Sequence, residues 1–387
     1  MRLSKRARVV GPMELATLMR LAASTEVIDI ALGVPPAGPP MNIAKAAQAA
    51  LAGGSHQYAE ATGLLDLRRA TTEYVKAHGG ILVDPETEVT ITCGATEGVF
   101  ISLLAVTDPG DEVLIPEPYY ELYPGMTALI GAVPIAVPLV QPGWRLDISA
   151  LRKAVSKRTR AVLLNTPHNP TGRVFDRSEI EDVVELCNEY SLACITDEVY
   201  EHYVYDDNRH LSPFCIPSGR HCTVSVGSLS KTLQVSGWRI GYCLANAKIT
   251  DTLRRIHERT TLGTSHPLQR GAVTFPDNFL TSPSCNKLQD QRDQMVDRLR
   301  ALGFEVCLPQ GGWFSFARIP KHNWPAEGLA RQLIRYARVL IAPGTPFFRK
   351  RADGAAWMRT TFIRDPDTMN EALDRIGNFL RDEQLHG

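Results

Sequence analysis

Apolar residues fall in two rhythms along this chain. Through the middle, short runs rich in β-branched residues recur at 89–92, 113–115, 161–164, 193–196, 223–226 and 240–244. Their length and composition are those of buried strands. Longer stretches between them carry apolar residues at helical spacing. In 178–190, Ile180, Val183, Val184 and Cys187 share one face, which predicts an amphipathic helix. Asp176, with Glu179 three residues later, supplies a capping box at its start. Strand, helix and strand in succession predict an α/β fold, a mostly parallel sheet with helices on both faces. Such sheets bind ligands at the carboxyl ends of their strands.

The rhythm changes in the last third. Residues 286–302 place Leu288, Met295, Val296 and Leu299 on one helical face, and 304–308 and 314–319 read as strands around Gly311-Gly312. A helix follows near 329–337, and another opens at Asp365-Pro366, an N-cap with proline at the first helical position. This mix predicts a smaller α+β domain. The stretch Val34-Pro35-Pro36-Ala37-Gly38-Pro39-Pro40 excludes helix and central strand and reads as an ordered linker. The expected division is an N-terminal segment, 1–40, joining the small domain; a large domain, 41–277; and the small domain, 278–387. A chain of 387 residues suits two unequal domains.

Composition narrows the function classes. Lys plus Arg is 42 and Asp plus Glu is 42, so no long-range field draws the protein to nucleic acid or anionic lipid. No apolar run approaches the ~20 residues of a membrane span, and residues 1–10 lack the apolar core of a signal peptide. Cytoplasm is the expected compartment. The eight cysteines, Cys93, Cys187, Cys194, Cys215, Cys222, Cys243, Cys285 and Cys307, are scattered without a Cys-x-x-Cys pair. No zinc site is expected, and they are read as reduced, buried small hydrophobes.

Candidate chemistry gathers at strand ends. Ser228-Leu229-Ser230-Lys231, with Gly237-Trp238-Arg239 beyond it, follows the run 223–226. A lysine buried there would lose part of its proton affinity and become a nucleophile toward an aldehyde; the plainer reading is a surface loop lysine. Asn165 to Gly172 (Asn-Thr-Pro-His-Asn-Pro-Thr-Gly) follows 161–164, and Asp197-Glu198-Val199-Tyr200 closes 193–196. These could instead be a turn and a helix cap. Cys93-Gly94-Ala95-Thr96-Glu97-Gly98 follows 89–92 and leads into a helical pattern. A glycine-led turn into a helix offers free amides to a phosphate. It is not a dinucleotide fingerprint, since no Gly-x-Gly-x-x-Gly occurs, and this disfavours a nicotinamide-dependent dehydrogenase.

Taken in order, these motifs offer a phosphate cradle, an asparagine, an aspartate with a tyrosine, and a lysine. From about 28 to 380 the sequence resembles the class I and II aminotransferases, fold-type-I pyridoxal-phosphate enzymes. It is most similar to their kynurenine, aromatic and aspartate-like branch. The resemblance implies a seven-stranded, mostly parallel sheet in the large domain, pyridoxal 5′-phosphate as cofactor, and L-amino acids and 2-oxo acids as substrates. It makes Lys231 the Schiff-base lysine that also moves the substrate's α-proton. Asp197 would pair with the pyridine nitrogen, and Tyr200 and Asn169 with the ring oxygen. Gly94, Ala95, Thr96, Ser228, Ser230 and Arg239 would hold the phosphate, and Tyr120 would stack on the ring.

Tyr58, in His56-Gln57-Tyr58-Ala59-Glu60, resembles a tyrosine that reaches the phosphate of a neighbouring subunit, which implies a homodimer. Arg359 resembles the arginine that grips the substrate α-carboxylate, and Gly33 a position where backbone passes close to the substrate. Arg349, Arg351 and Arg364 lie nearby without that context. Substrate choice is expected from 13–22, the loop after Tyr119 and 263–268, with His168, His266 and Trp238 either shaping the pocket or packing. No second arginine can be placed for a side-chain carboxylate, so a dicarboxylic preference is not expected. The same lysine and ring could also serve β- or γ-elimination, γ-replacement or cyclisation. A binding module without turnover would lack Lys231 or Asp197; both are present.

Overall fold

All six apolar runs form strands of one sheet. The structure, a computed structural model, describes residues 2–35, 38–278, 284–320 and 324–386. In spatial order the sheet runs Val89–Thr92, Gly241–Leu244, Thr223–Ser228, Ala193–Asp197, Thr159–Asn165, Glu112–Glu117 and Val133–Pro138. Gly241–Leu244 lies antiparallel to both neighbours, and the other pairings are parallel. The seventh strand, Val133–Pro138, lies at the edge and carries two prolines. Proline gives up a ladder donor and is tolerated at an edge, which is why its sequence does not look like a strand.

The central strands are buried on both sides because consecutive residues point to opposite faces. Leu114, Val162, Leu164 and Cys194 join the core shared with the C-terminal third. Val113, Ile115, Ala161, Leu163 and Ile195 pack on the other side, with Val99 and Leu103 of the helix Gly94–Val106. The helix Arg177–Tyr190 has the expected capping box, with Asp176 accepting from the Glu179 amide and Glu179 from the Asp176 amide.

A four-stranded antiparallel sheet holds Ala342–Pro343, Trp357–Thr361, Phe314–Arg318 and Glu305–Val306. The expected strand at 304–308 is therefore shorter, and the helix near 329–337 begins at Ala326 and ends in a π turn, Leu333–Ala337. Near the amino end, Ile28–Asp29 pairs in parallel with Val339–Leu340. Of the proline-rich stretch, Pro36 and Ala37 lie outside the described residues, and the rest is neither helix nor strand. The seven described cysteines are free. Cys187, Cys194, Cys222 and Cys243 are buried as expected, but Cys93, Cys215 and Cys307 keep partial exposure. The side chain of Cys285 lies outside the described set. No helix among the described residues is long and apolar enough to cross a membrane.

Candidate active site

The carboxyl ends of the strands open onto a cavity of about 270 Å³. Lys231 reaches it from a one-turn helix, Leu229–Thr232, that begins where the strand Thr223–Ser228 stops. Its Nζ donates to the Gly33 carbonyl at 3.0 Å and lies 5.2 Å from the centre of the Trp313 ring. Burial, then the charges of Arg359 and Arg239, bring its pKa down to about 8 against the pull of Asp197.

Asp197 ends the neighbouring strand and is buried. Its Oδ2 accepts from the Tyr123 hydroxyl at 2.8 Å, and Oδ1 from the Val199 amide at 3.3 Å. Burial pushes the carboxyl up to about 6 although the Tyr123 bond works the other way. Such a carboxylate is set to receive a cation or a proton-bearing nitrogen.

Tyr200 is buried, its ring edge-on to Trp313 and Phe314. Asn169 is held by its own amide, which donates to Asn165 Oδ1 at 2.7 Å. Asn169 Oδ1 accepts from Arg359 Nη1 at 3.0 Å. Arg359 Nη2 donates to the Ala31 carbonyl at 2.9 Å, and the guanidinium lies 4.1 Å from the centre of the Phe314 ring. This places a buried guanidinium, a carboxamide, a phenol, a carboxylate and an amine around one space.

Ala95 and Thr96 line the cavity at the amino end of the helix Gly94–Val106, opposite Ser228, Ser230 and Arg239. Arg239 Nη1 donates to the Ser236 carbonyl at 2.9 Å and approaches Ser230 Oγ at 3.5 Å. Gly94 does not line the cavity. It lies behind Arg239 with φ +76°, where an added Cβ would come 2.3 Å from Nη2. A Cβ on Gly241 would come 2.7 Å from the Ala95 amide nitrogen. Free amides, three hydroxyls and a guanidinium kept clear by two glycines fit a phosphate group. With the lysine and the buried carboxylate, the donor set fits pyridoxal phosphate.

The structure therefore brings Gly33, Ala95, Thr96, Tyr120, Asn169 and Asp197 to the wall together with Tyr200, Ser228, Ser230, Lys231, Arg239 and Arg359. Tyr58 stands apart, 83% exposed. His168 does not line the cavity: it is buried against Phe175, hydrogen-bonded to Thr171, and held down to about pKa 3 by burial. Trp238 and His266 are also off the wall. Arg351 is bound to Glu14 and Glu327, and Arg364 to Asp29 and nearby carbonyls. Sequence reasoning missed Tyr123, Asn165 and Glu121, which also line the cavity. Tyr123 stands one helical turn beyond Tyr120, and Asn165 four residues before Asn169; that spacing was the available signal.

The profile of the family described as aminotransferase class I and II matches residues 25–376. An aromatic-amino-acid aminotransferase 2 from Thermococcus litoralis is 30% identical, with 100% of each chain covered. A probable N-succinyldiaminopimelate aminotransferase from Mycobacterium tuberculosis is 33% identical over 96% of this chain and 97% of that one. The solved structure of N-succinyldiaminopimelate aminotransferase from Mycobacterium tuberculosis superposes with a TM-score of 0.91 at 32% identity, covering 97% of this chain and 100% of that one.

Proposed function

This chain belongs to the class I and II aminotransferase family, and from that premise we propose that its Lys231 carries pyridoxal phosphate while Asp197 holds the cofactor's ring nitrogen. The enzyme is an aminotransferase: it moves an amino group from an amino acid to a 2-oxo acid. The related enzymes named above all transfer amino groups, which favours this reaction over elimination, replacement or cyclisation at the same lysine. One observation carries the residue assignment. A lysine and a carboxylate with opposite pKa shifts share one cavity with a phosphate-sized donor set.

When bound, pyridoxal phosphate supplies an aldehyde to the lysine and a ring that takes up the electron pair left at the substrate's Cα. The chain's residues do the rest. Lys231, with a pKa near 8, has a sizeable neutral fraction at pH 7 and can act as nucleophile. Once freed by substrate, its Nζ would take the Cα proton and deliver it to the cofactor's C4′ carbon. Asp197 keeps a proton on the ring nitrogen, and the Tyr123 hydroxyl fixes the carboxylate's direction. Tyr200 and Asn169 would hold the ring oxygen, and Tyr120 would stack on the ring.

Ala95, Thr96, Ser228, Ser230 and Arg239 hold the phosphate, with Gly94 leaving room behind the arginine. Arg359 binds the α-carboxylate through its planar fork, held in place by Asn169 and the Ala31 carbonyl. Gly33 forms the facing wall. Tyr58, exposed and not on the wall of its own cavity, is assigned to the phosphate of a second copy, making the enzyme a homodimer, with the cytoplasm as its compartment. The same reading divides the chain into 1–40, 41–277 and 278–387, and the pairing of Ile28–Asp29 with Val339–Leu340 supports joining the first to the last.

The test is the visible absorption spectrum during addition of single amino acids without a 2-oxo acid. The lysine-bound cofactor band should fade in wild type with stoichiometric release of a 2-oxo acid. Return of the band with release of ammonia or a side-chain fragment would refute amino transfer. A Lys231→Ala variant that still held the cofactor covalently would refute the lysine assignment.

A further inference from the structure

Five charged side chains line the cavity: Glu121, Asp197, Lys231, Arg239 and Arg359. Four have hydrogen-bond partners and a use: Asp197 with Tyr123, Lys231 with the Gly33 carbonyl, Arg239 with Ser236, and Arg359 with Asn169. Glu121 differs. Among the described residues its carboxylate has no hydrogen bond and no salt bridge, and nothing in the cofactor or α-carboxylate reading requires it. It follows Tyr120 directly and precedes the helix Leu122–Leu129.

Its surroundings indicate what it faces. Met13, Leu15, Met126 and Phe314 line the same cavity, so a substrate side chain leaving Cα there runs over apolar surface. Glu121 also lines a second cavity of about 790 Å³ that shares Met13, Met126 and Arg239 with the first. Glu121 thus borders both spaces, where a long side chain passing from the first to the second would meet it. Besides Arg239, assigned to the phosphate, the second cavity is lined by Glu14, Glu97 and Arg351. Glu97 is bound by His257, Glu14 by Arg351 and Thr345, and Arg351 also holds Glu327. Arg351 is therefore already matched by acids. The Arg359 charge is felt at Glu121, but among the described residues no cation pairs with it directly, and a bound α-carboxylate would take up Arg359.

We propose that Glu121 sets the substrate class: an amino acid with an apolar stem ending in a cation or hydrogen-bond donor, with terminal carboxylates excluded. The inference rests on Arg359 as the α-carboxylate anchor. A side-chain carboxylate would meet Glu121 as a like charge in a partly desolvated space, whereas an ammonium or N–H donor would pair with it. Specificity then comes from both attraction and repulsion.

The test uses the pyridoxal-phosphate-loaded enzyme and three acids of matched length without an α-amino group: 6-aminohexanoate, hexanoate and adipate, the cofactor band being followed to exclude condensation of the terminal amine. Affinities are measured by calorimetry, and the matching amino acids, lysine, norleucine and 2-aminoadipate, are run through single-turnover half-reactions. Wild type should prefer the ammonium-ended member to the carboxylate-ended one by about tenfold or more, with the methyl-ended member between. Glu121→Gln should bring the three within about threefold, and Glu121→Lys should reverse the order. Equal or better binding of adipate by wild type would overturn the proposal, as would an unchanged order in Glu121→Gln. Arg359→Ala should abolish binding of all three acids. Persistence there would instead overturn the anchor, a separate failure from that of Glu121.

Discussion

Lys231 and Asp197 are each displaced from their ordinary titration range, and burial is the leading cause in both. Lys231 falls to about 8 and Asp197 rises to about 6. Only the neutral amine attacks an aldehyde, so capture of pyridoxal phosphate by the cofactor-free protein should speed up about tenfold per pH unit below about 8, then level off. Stopped-flow absorbance checks this; a rate that keeps rising about tenfold per unit beyond pH 9 would contradict the lowered lysine. Gly94→Ala tests the phosphate cradle. A Cβ would come 2.3 Å from Arg239 at a φ of +76°, so cofactor affinity should weaken by at least about tenfold, with roughly 1 kcal/mol lost in stability. Equilibrium dialysis and urea denaturation measure the two effects. Much of this site could be read in the sequence because its residues follow strands, where such folds bind ligands. Arg359 could not be read this way: on charge alone Arg349, Arg351 and Arg364 were its equals, and it was singled out only by the family resemblance, with which its burial against Phe314 agrees. Glu121 escaped because its facing is set by how Leu122–Leu129 packs, and no local pattern encodes that; Tyr123 offered only its three-residue spacing from Tyr120.

At the scale of elements, the segment after the strand Ala193–Asp197 is fixed by a buried pair. Glu198 accepts from Ser212 Oγ at 2.8 Å, from Thr196 Oγ1, and from His210 Nε2 at 2.9 Å. Burial disfavours both charges, yet the pairing outweighs it, leaving Glu198 below and His210 above its usual range. The sign follows for each partner. The raised histidine contributes stability that is complete below its ordinary value of 6.5 and fades as pH rises through its folded pKa. The lowered glutamate contributes above its ordinary value of 4.5 and loses this as pH falls through its folded pKa. His210→Ala should cost about 3–5 kcal/mol by leaving a buried carboxylate unpaired. Denaturation curves across pH should also lose their alkaline decline in that variant; an unchanged pH profile would count against the pair. Elements with strong periodicity, such as Arg177–Tyr190 with its capping box, were legible. Val133–Pro138 was not, because its two prolines suit only the edge it occupies. The π turn Leu333–Ala337 has no sequence period that would announce it.

For the whole molecule, the proposed exchange of Tyr58 between copies has a direct test. Tyr58→Ala and Lys231→Ala should each be impaired or inactive alone. Co-expression should yield mixed dimers in which one of the two sites is intact, restoring about a quarter of wild-type activity in a statistical mixture. Failure of the mixture to exceed its parents would remove Tyr58 from the neighbouring site.

The parallel pairing of Ile28–Asp29 with Val339–Leu340 has a consequence in time. The Ala31 carbonyl that steadies Arg359, and the Gly33 carbonyl that holds Lys231, both belong to the stretch this pairing anchors. On the ribosome, that stretch emerges long before residues 339–340 and 359 exist. The central sheet can assemble while its amino-terminal lead hangs unpaired, and the wall of the cavity closes only when the last part of the chain arrives. Contacts so distant in sequence are slow to form, so competence to bind the α-carboxylate should be the final property the newborn enzyme acquires.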